Sequence, residues 1–235
     1  MAALLPINAR DDFGCTAIHR AAKAGDLTQT EELIRARADL ETRENQHGCT
    51  PLILAIQGGH VECIRALIKG KARVNSRGGG GKTPLHWACL SGNAAVAKLL
   101  LRSGAEVNAK DGVGLTPLLC AVQSADGKDC VMTVIEAKAK VKAVNAEGLT
   151  ALHFAARRGW LDVVQLLLAA GAQPGVQSKT GETPAAFAQV GWELHPSDYA
   201  TVMEQEKSVL LATLKDACDA AAESSANPSQ NSKPA

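Results

Sequence analysis

Residues 81–92 read GKTPLHWACLSG, and the pattern that opens this segment recurs through most of the chain. A Gly-x-Thr triplet occurs six times, with its threonines at Thr16, Thr50, Thr83, Thr116, Thr150 and Thr183. Successive threonines are 34, 33, 33, 34 and 33 residues apart. So constant a spacing indicates a tandem structural repeat.

Each repeat is predicted to be a turn, a short helix, a second turn and a longer helix. A turn-forming residue stands five positions before each Thr: Asp11, Asn45, Gly78, Asp111, Asn145 and Ser178. The Thr is predicted to cap the first helix, and in four repeats a proline follows at the first helical position: Pro51, Pro84, Pro117 and Pro184. A glycine nine residues after Thr ends this helix in four repeats: Gly25, Gly59, Gly92 and Gly159.

The string at 82–88, followed by Gly92, Leu99–Leu101 and Gly104–Asn108, resembles the ankyrin repeat. The resemblance covers residues 11–195, with five full repeats and a sixth that starts properly and then departs. It implies an all-α solenoid of helix-turn-helix units with hairpin tips. Its six repeats would start near residues 11, 45, 78, 111, 145 and 178.

The segments outside the repeats have separate predictions. Residues 1–10 form a lead-in, and residues 196–222 are predicted to be a capping helix that starts around His195-Pro196-Ser197. Residues 223–235 lack apolar periodicity and are predicted to be disordered. Polar Gln29 and Thr30 in repeat 1 predict a second helix that faces solvent, as an end repeat needs.

Three repeats depart from the pattern at the position of the closing glycine, where they have Arg37, Lys71 and Lys138. A left-handed cap with a side chain costs roughly 1 kcal/mol, so these repeats are predicted to be the less stable ones. Two repeats also carry one extra residue each. That of repeat 1 is assigned to 41–46, and that of repeat 4 to 124–128.

Composition excludes several classes of protein. The 235 residues include 25 basic and 24 acidic side chains, a balance that disfavours nucleic-acid binding by bulk charge. No apolar run reaches the roughly 20 residues of a membrane span, and Met1–Arg10 does not have the pattern of a secretory signal. Seven cysteines without paired spacing are typical of reduced thiols, which predicts a cytoplasmic or nuclear location.

Two further patterns suggest chemistry. The glycine-rich stretch Gly78–Thr83 ends in Gly-Lys-Thr like a phosphate-binding loop, but Ser76 stands where that motif needs glycine. His19, His86 and His153 share the third position after Thr, and in the ankyrin family this histidine is structural. Neither a catalytic motif nor a metal-binding spacing is present in the sequence, so no enzyme activity and no cofactor are predicted.

Partners of the family usually dock on the concave side, which hairpin tips and first helices build. Mapping each repeat through its Thr gives twelve candidate protein-binding residues: Phe13, Lys23, His47, Gln57, Lys82, Leu90, Val113, Leu115, Gln123, Leu149, Arg157 and Arg158. The sequence therefore predicts a monomeric, non-catalytic adaptor, inhibitor or assembly factor that binds another protein, with neither nucleic acid nor membrane as partner. The alternative is a nucleotide-binding protein or enzyme that uses Gly78–Thr83.

Overall fold

The computed structural model describes residues 6–191 and 200–226, and regular structure in these ranges is helical apart from one β-bridge, between Val144 and Thr150. This confirms the all-α prediction. Residues 1–5, 192–199 and 227–235 lie outside the described residues, and with them the predicted helix start at His195-Pro196-Ser197 and most of the predicted tail. The helices are α1 (Ala17–Ala24), α2 (Leu27–Arg35), α3 (Pro51–Gln57), α4 (Val61–Lys69), α5 (Pro84–Leu90), α6 (Ala94–Arg102), α7 (Pro117–Ala121), α8 (Lys128–Glu136), α9 (Ala151–Arg157), α10 (Leu161–Ala169), α11 (Pro184–Gly191) and α12 (Ala200–Ala226).

The chain divides into two compact units, residues 1–139 and 140–235. In the first unit the short helices α1, α3, α5 and α7 pack side by side in that order, and the longer helices pack α2 on α4 and α6 on α8. In the second unit α9 packs against α10 and α11, and α12 packs against both α10 and α11. Leu210 and Leu214 of α12 are fully buried.

Each repeat begins with a hairpin, defined here as the turn that one backbone hydrogen bond closes before the capping Thr. Asp111 N–H donates to Leu115 O at 2.9 Å, and the Asp111 Oδ1 accepts from the Val113 and Leu115 amides inside the turn. Asp11, Asn145 and Ser178 act in the same way. A short polar side chain at this position therefore fixes the turn, as the sequence predicts.

The second hairpin differs from the prediction because it is one residue longer. Glu44, not Asn45, donates the closing hydrogen bond, to Cys49 O at 3.1 Å. The longer Glu44 side chain accepts hydrogen bonds from the amides of Gln46, His47 and Cys49. The extra residue of repeat 1 is absorbed in this turn, and the repeat register moves from residue 45 to residue 44.

Three of the capping threonines are hydrogen-bonded to the histidine three residues later, in the first turn of the helix. In repeat 3, Thr83 N–H donates to the Nδ1 of His86 at 3.2 Å. Because Nδ1 accepts, the neutral ring carries its proton on Nε2, which donates to Leu115 O of the following hairpin at 3.0 Å. His153 makes the equivalent bond to Glu182 O at 3.1 Å, whereas the buried Nε2 of His19 has no hydrogen-bond partner among the residues that the structure describes.

Two other expectations are wrong. Thr30 does not face solvent: it is fully buried, and its hydroxyl lies against the Sγ of Cys63 and bonds to Asp26 O, so a polar residue is accommodated between neighbouring helices. The chain is not disordered from Glu223, since α12 continues to Ala226.

The left-handed caps without glycine are confirmed, with φ of 62° at Arg37, 73° at Lys71 and 66° at Lys138. We expect Lys71→Gly to raise the free energy of unfolding by about 0.5 to 1 kcal/mol, because glycine removes the steric strain of a Cβ at positive φ. Chemical denaturation measures the change. The control Arg65→Gly, at an exposed position in the interior of α4, should lower stability by a similar amount, and a loss of stability in Lys71→Gly would contradict the assignment.

The buried histidines predict a stability that falls in mild acid. Burial lowers the pKa of His19, His86 and His153 below the ordinary 6.5, only partly offset by nearby carbonyls. As pH falls through about 6.5 the unfolded chain binds these protons first, so the free energy of unfolding decreases by up to about 1.4 kcal/mol per pH unit for each histidine. Urea titrations between about pH 7.5 and 5 measure this slope, above the range where carboxylates titrate.

His86→Gln is the matched variant, because glutamine suits the third position of a capping box and does not titrate. In this variant the slope of the free energy of unfolding against pH should be smaller by the contribution of one proton. An unchanged slope would mean that His86 is not held neutral in the folded protein.

Candidate functional site

Hairpin tips and first helices of the first unit enclose a cavity of about 570 Å³, called here the groove cavity. Its lining is Cys15, Lys23, Glu44, Gln46, His47, Leu54, Gln57, Gly79, Gly80, Lys82 and Trp87. Four of the twelve predicted residues, Lys23, His47, Gln57 and Lys82, therefore meet around one space. A cavity of this size accepts a bulky side chain or a small ligand.

The helix side of the groove cavity follows from the repeat register. Lys23 and Gln57 both lie seven residues after the capping Thr, near the ends of α1 and α3, and both are exposed. Since α1, α3 and α5 pack side by side, the equivalent Leu90 continues the row and is 37% exposed. This row is the exposed flank that the sequence predicted.

The hairpin side of the cavity is open because the third tip has no side chains. Residues Gly79–Gly81 form a single 3-10 turn in which Gly80 has a φ of 67°. A Cβ on Gly79 would lie 3.3 Å from the Cβ of His47, so glycine permits the second and third tips to approach closely. The glycines that resemble a phosphate loop therefore shape this wall of the cavity.

The sequence prediction missed Leu54 and Cys15 as lining residues. Leu54 stands four residues after its Thr, in the same register as Trp87, and the two supply the apolar part of the lining. Cys15 stands directly before its Thr, as Lys82 does. Leu54 occupies the same repeat position as Trp87, and Cys15 the same position as Lys82. The repeat register is therefore sufficient to find both residues.

The two carboxylates near the cavity, Asp111 and Glu44, already have an ion-pair or hydrogen-bond partner. The Nζ of Lys82 lies 2.9 Å from the Oδ2 of Asp111, whose side chain is fully buried. Burial opposes ionisation of Asp111, but the Lys82 ammonium and the Leu115 and Val113 amides lower the pKa of the carboxyl. Glu44 likewise has a lowered pKa, because three amides outweigh its burial.

The rim of the groove cavity carries the remaining charge. Lys23 is exposed and has no ion pair in the part of the chain that the structure describes, and His47 is exposed beside it in the lining. The unpaired charge at the rim is therefore that of Lys23, next to the apolar surface of Leu54 and Trp87.

The Gly78–Thr83 loop does not have the geometry of a phosphate cradle. The amides of Gly78, Gly81 and Lys82 donate to carbonyls of the loop itself, and the Gly80 carbonyl accepts from Gly112 at 2.7 Å. The lysine that would contact a phosphate is paired with Asp111. The loop is part of the repeat scaffold.

The other predicted residues are distributed over both units. Phe13 and Val113 are 60% and 62% exposed on the first and fourth tips, whereas Leu115 and Gln123 are half-buried. Leu149, Arg157 and Arg158 belong to the second unit, where Leu149 is half-buried and both arginines are exposed. The Arg158 guanidinium lies 4.8 Å from the centre of the Trp160 ring.

All seven cysteines are free thiols, and five are buried. Burial raises the pKa of Cys120 to about 12, which leaves it protonated at neutral pH. Among the described residues no cluster of histidine, cysteine and carboxylate side chains is suited to a metal ion, and no helix is long and apolar enough to cross a membrane.

The sequence matches the family model described as ankyrin repeats (3 copies) over residues 2–78, 18–111 and 110–178. Two relatives match over shorter segments. Inversin of Gallus gallus is 38% identical over 58 residues, and the tyrosine-protein kinase Shark of Drosophila melanogaster is 34% identical over 70 residues. These segments are 25% and 30% of this chain but only 5% and 8% of those proteins.

Solved structures match far more of the chain. A chain in the complex of the Bd0816 predatory endopeptidase of Bdellovibrio bacteriovorus with immunity protein Bd3460 has a TM-score of 0.71 and 26% identity, over 87% of this chain and 99% of that one. The ankyrin repeat domain of Bcl-3 has a TM-score of 0.70 and 28% identity, over 78% and 82%. An ankyrin repeat domain from Acinetobacter baumannii AYE has a TM-score of 0.66 and 29% identity, over 71% and 86%.

The occupied loop amides and the Lys82–Asp111 pair predict that nucleotide has no specific site on Gly78–Thr83. Thermal melting in the presence of Mg-ATP should give the same midpoint as melting without it, because only a ligand that binds the folded state raises the midpoint. Mg-AMP is the control for non-specific effects. A midpoint raised by Mg-ATP and not by Mg-AMP would restore the nucleotide-binding alternative.

Proposed function

We propose, since this chain belongs to the ankyrin-repeat family, that it is a non-catalytic module which binds another protein through the groove cavity and the adjoining first helices. Ankyrin repeats are generally protein–protein interaction modules. The observation that carries the proposal is the meeting of Lys23, His47, Gln57 and Lys82 around one open space of about 570 Å³.

The lining indicates what a partner would present. Leu54 and Trp87 favour an apolar side chain, because aromatic and aliphatic surface gains most from desolvation. Lys23 at the rim favours a carboxylate next to that side chain. We therefore expect a partner segment with one bulky apolar residue and an adjacent acidic residue.

Exposed apolar side chains extend the proposed surface. Leu90 continues the row of Lys23 and Gln57 on the first helices, and Phe13 is exposed on the first hairpin tip. Apolar side chains at exposed positions around a cavity are typical of an interaction face. The role of adaptor, inhibitor or assembly factor fits such a face, and one of the similar structures is a complex of an endopeptidase with an immunity protein.

The cellular setting is also part of the proposal. Seven free thiols are compatible with a reducing compartment, so we propose that the protein acts in the cytoplasm or nucleus, as a monomer.

Site-specific photo-crosslinking tests the groove. A photoreactive amino acid replaces Gln57 at the groove cavity or Lys98 on the exposed surface of α6, and adducts are identified by mass spectrometry. The same partner should crosslink from position 57 and not from position 98. Adducts formed only from position 98 would place the functional surface on the longer helices.

Charge and volume variants give the quantitative test with the identified partner. Lys23→Glu combined with Gln57→Ala and Leu90→Asp should weaken binding by at least about tenfold, because a few central residues carry most of the energy of an interface. Lys98→Glu with Arg102→Glu is the matched control, with at least as large a charge change on α6. All five side chains are exposed, so each change should alter the free energy of unfolding by no more than about 0.5 kcal/mol. Equal loss in both variants would contradict the proposal.

A further inference from the structure

A second cavity, of about 670 Å³, lies beside the hairpins of repeats 2 and 3. It shares no residue with the groove cavity. Its lining is Glu41, Arg43, Arg73, Val74, Asn75, Ser76 and Arg77. Three arginines and one glutamate thus line one cavity, in a chain whose overall net charge is only +1.

The three arginine charges are not compensated by ion pairs. Within the described residues, none of Arg43, Arg73 and Arg77 forms a salt bridge, and all three are exposed. Arg43 and Arg73 also make no side-chain hydrogen bond there. Glu41 is held by the backbone instead, since its Oε1 accepts from the Arg73 amide at 2.8 Å. Three arginines against one carboxylate leave the cleft with a net positive charge, which attracts a ligand of negative charge.

Neighbouring hairpins extend this charge into a row. The Nη1 of Arg77 donates to Gly81 O of its own hairpin and, at 2.6 Å, to Lys110 O of the next. Arg10 repeats the arrangement, with Nε on Gly14 O and Nη2 on Arg43 O at 2.8 Å. These hydrogen bonds hold the guanidinium groups of Arg10 and Arg77 in place. They also bring Arg10 close to Arg43, and Arg77 close to Lys110. We call Arg10, Arg43, Arg73, Arg77 and Lys110 the basic edge.

The repeat spacing suggests what this edge would bind. Stacked helical layers are about 10 Å apart, so cations on successive hairpins recur at about that interval. A peptide in the extended polyproline II conformation advances about 3.1 Å per residue with three residues per turn, so every third side chain lies on the same face and recurs at about 9 Å. The planar fork of arginine pairs with a carboxylate through two parallel hydrogen bonds.

We propose that the basic edge binds an extended acidic segment of a protein partner, with carboxylates at about every third residue. This site is separate from the groove cavity, and the proposal does not rest on the function proposed above.

Fluorescence anisotropy with a synthetic peptide tests the proposal on the full chain. The probe is a labelled peptide of about twelve residues with glutamate at every third position, in buffer of about 50 mM ionic strength. The wild type should bind it saturably, and binding should weaken as salt is raised. A peptide of the same composition with its glutamates contiguous should bind less tightly, because fewer of its carboxylates meet a guanidinium.

Arg43 and Arg73 are the residues to change, because their side chains make no hydrogen bond that the fold depends on. Arg43→Gln with Arg73→Gln should weaken peptide binding at least about tenfold, since two charge-assisted contacts are lost. Arg43→Lys with Arg73→Lys should recover only part of the affinity, because lysine keeps the charge and lacks the fork. Lys98→Gln with Arg102→Gln removes the same charge from α6 and should leave binding unchanged.

Four results would overturn the proposal. These are the absence of saturable binding by the wild type, an equal loss in the α6 control, equal affinity for the peptide with contiguous glutamates, and tighter binding of labelled oligothymidylate of the same charge. The last result would make the basic edge a nucleic-acid surface. The groove variant Lys23→Glu with Gln57→Ala should bind the acidic peptide like the wild type, so the two proposals fail independently.

Discussion

Burial of apolar side chains between neighbouring helix pairs is the interaction on which the rest of this structure depends. No single pair of short helices encloses a core of its own, so Ile18, Ile53 and Leu85 become fully buried only when α1, α3 and α5 pack side by side. In the second unit Leu167 is buried in the same way, and α12 covers α10 and α11 with Leu210 and Leu214. Stacking of this kind requires every repeat to keep the same register, which is why the chain repeats at 33 or 34 residues.

Polar groups enforce that register where apolar contacts do not. The Thr–His pair caps a helix, and the Nε2 of His86 and of His153 then bonds to the following hairpin. Hairpins are also joined through their backbones, as when Gly112 N–H donates to Gly80 O and Lys179 N–H to Glu147 O. Because these donors and acceptors are satisfied internally, the side chains at the hairpin tips and on the ends of the first helices are available to other molecules. The scaffold and the proposed binding surfaces are therefore built from the same repeat.

Irregular features of the hairpins give this chain its individual surface. The third tip has glycines where the first and fourth tips have Phe13 and Val113, and this difference opens the groove cavity on its hairpin side. The ion pair of half-buried Lys82 with buried Asp111 crosses from the third hairpin to the fourth and removes the lysine from the loop that resembles a phosphate site. Arg43 and Arg73 have no such partner in the described part of the chain, so their charge stays available.

The sequence by itself determined the helix-turn-helix repeat, the capping threonines, the prolines at the first helical position and the left-handed caps at Arg37, Lys71 and Lys138, because these are local properties of the backbone. It also identified Lys23, Gln57 and Leu90 as one row, since equivalent positions of stacked repeats must lie on one face. Only the tertiary structure decided that Thr30 is buried, that Glu44 takes the place of Asn45, and that Lys82 pairs with Asp111. It also placed Arg43, Arg73 and Arg77 around one cavity. These outcomes depend on how far side chains reach between different repeats, and spacing along the chain carries no information about that distance.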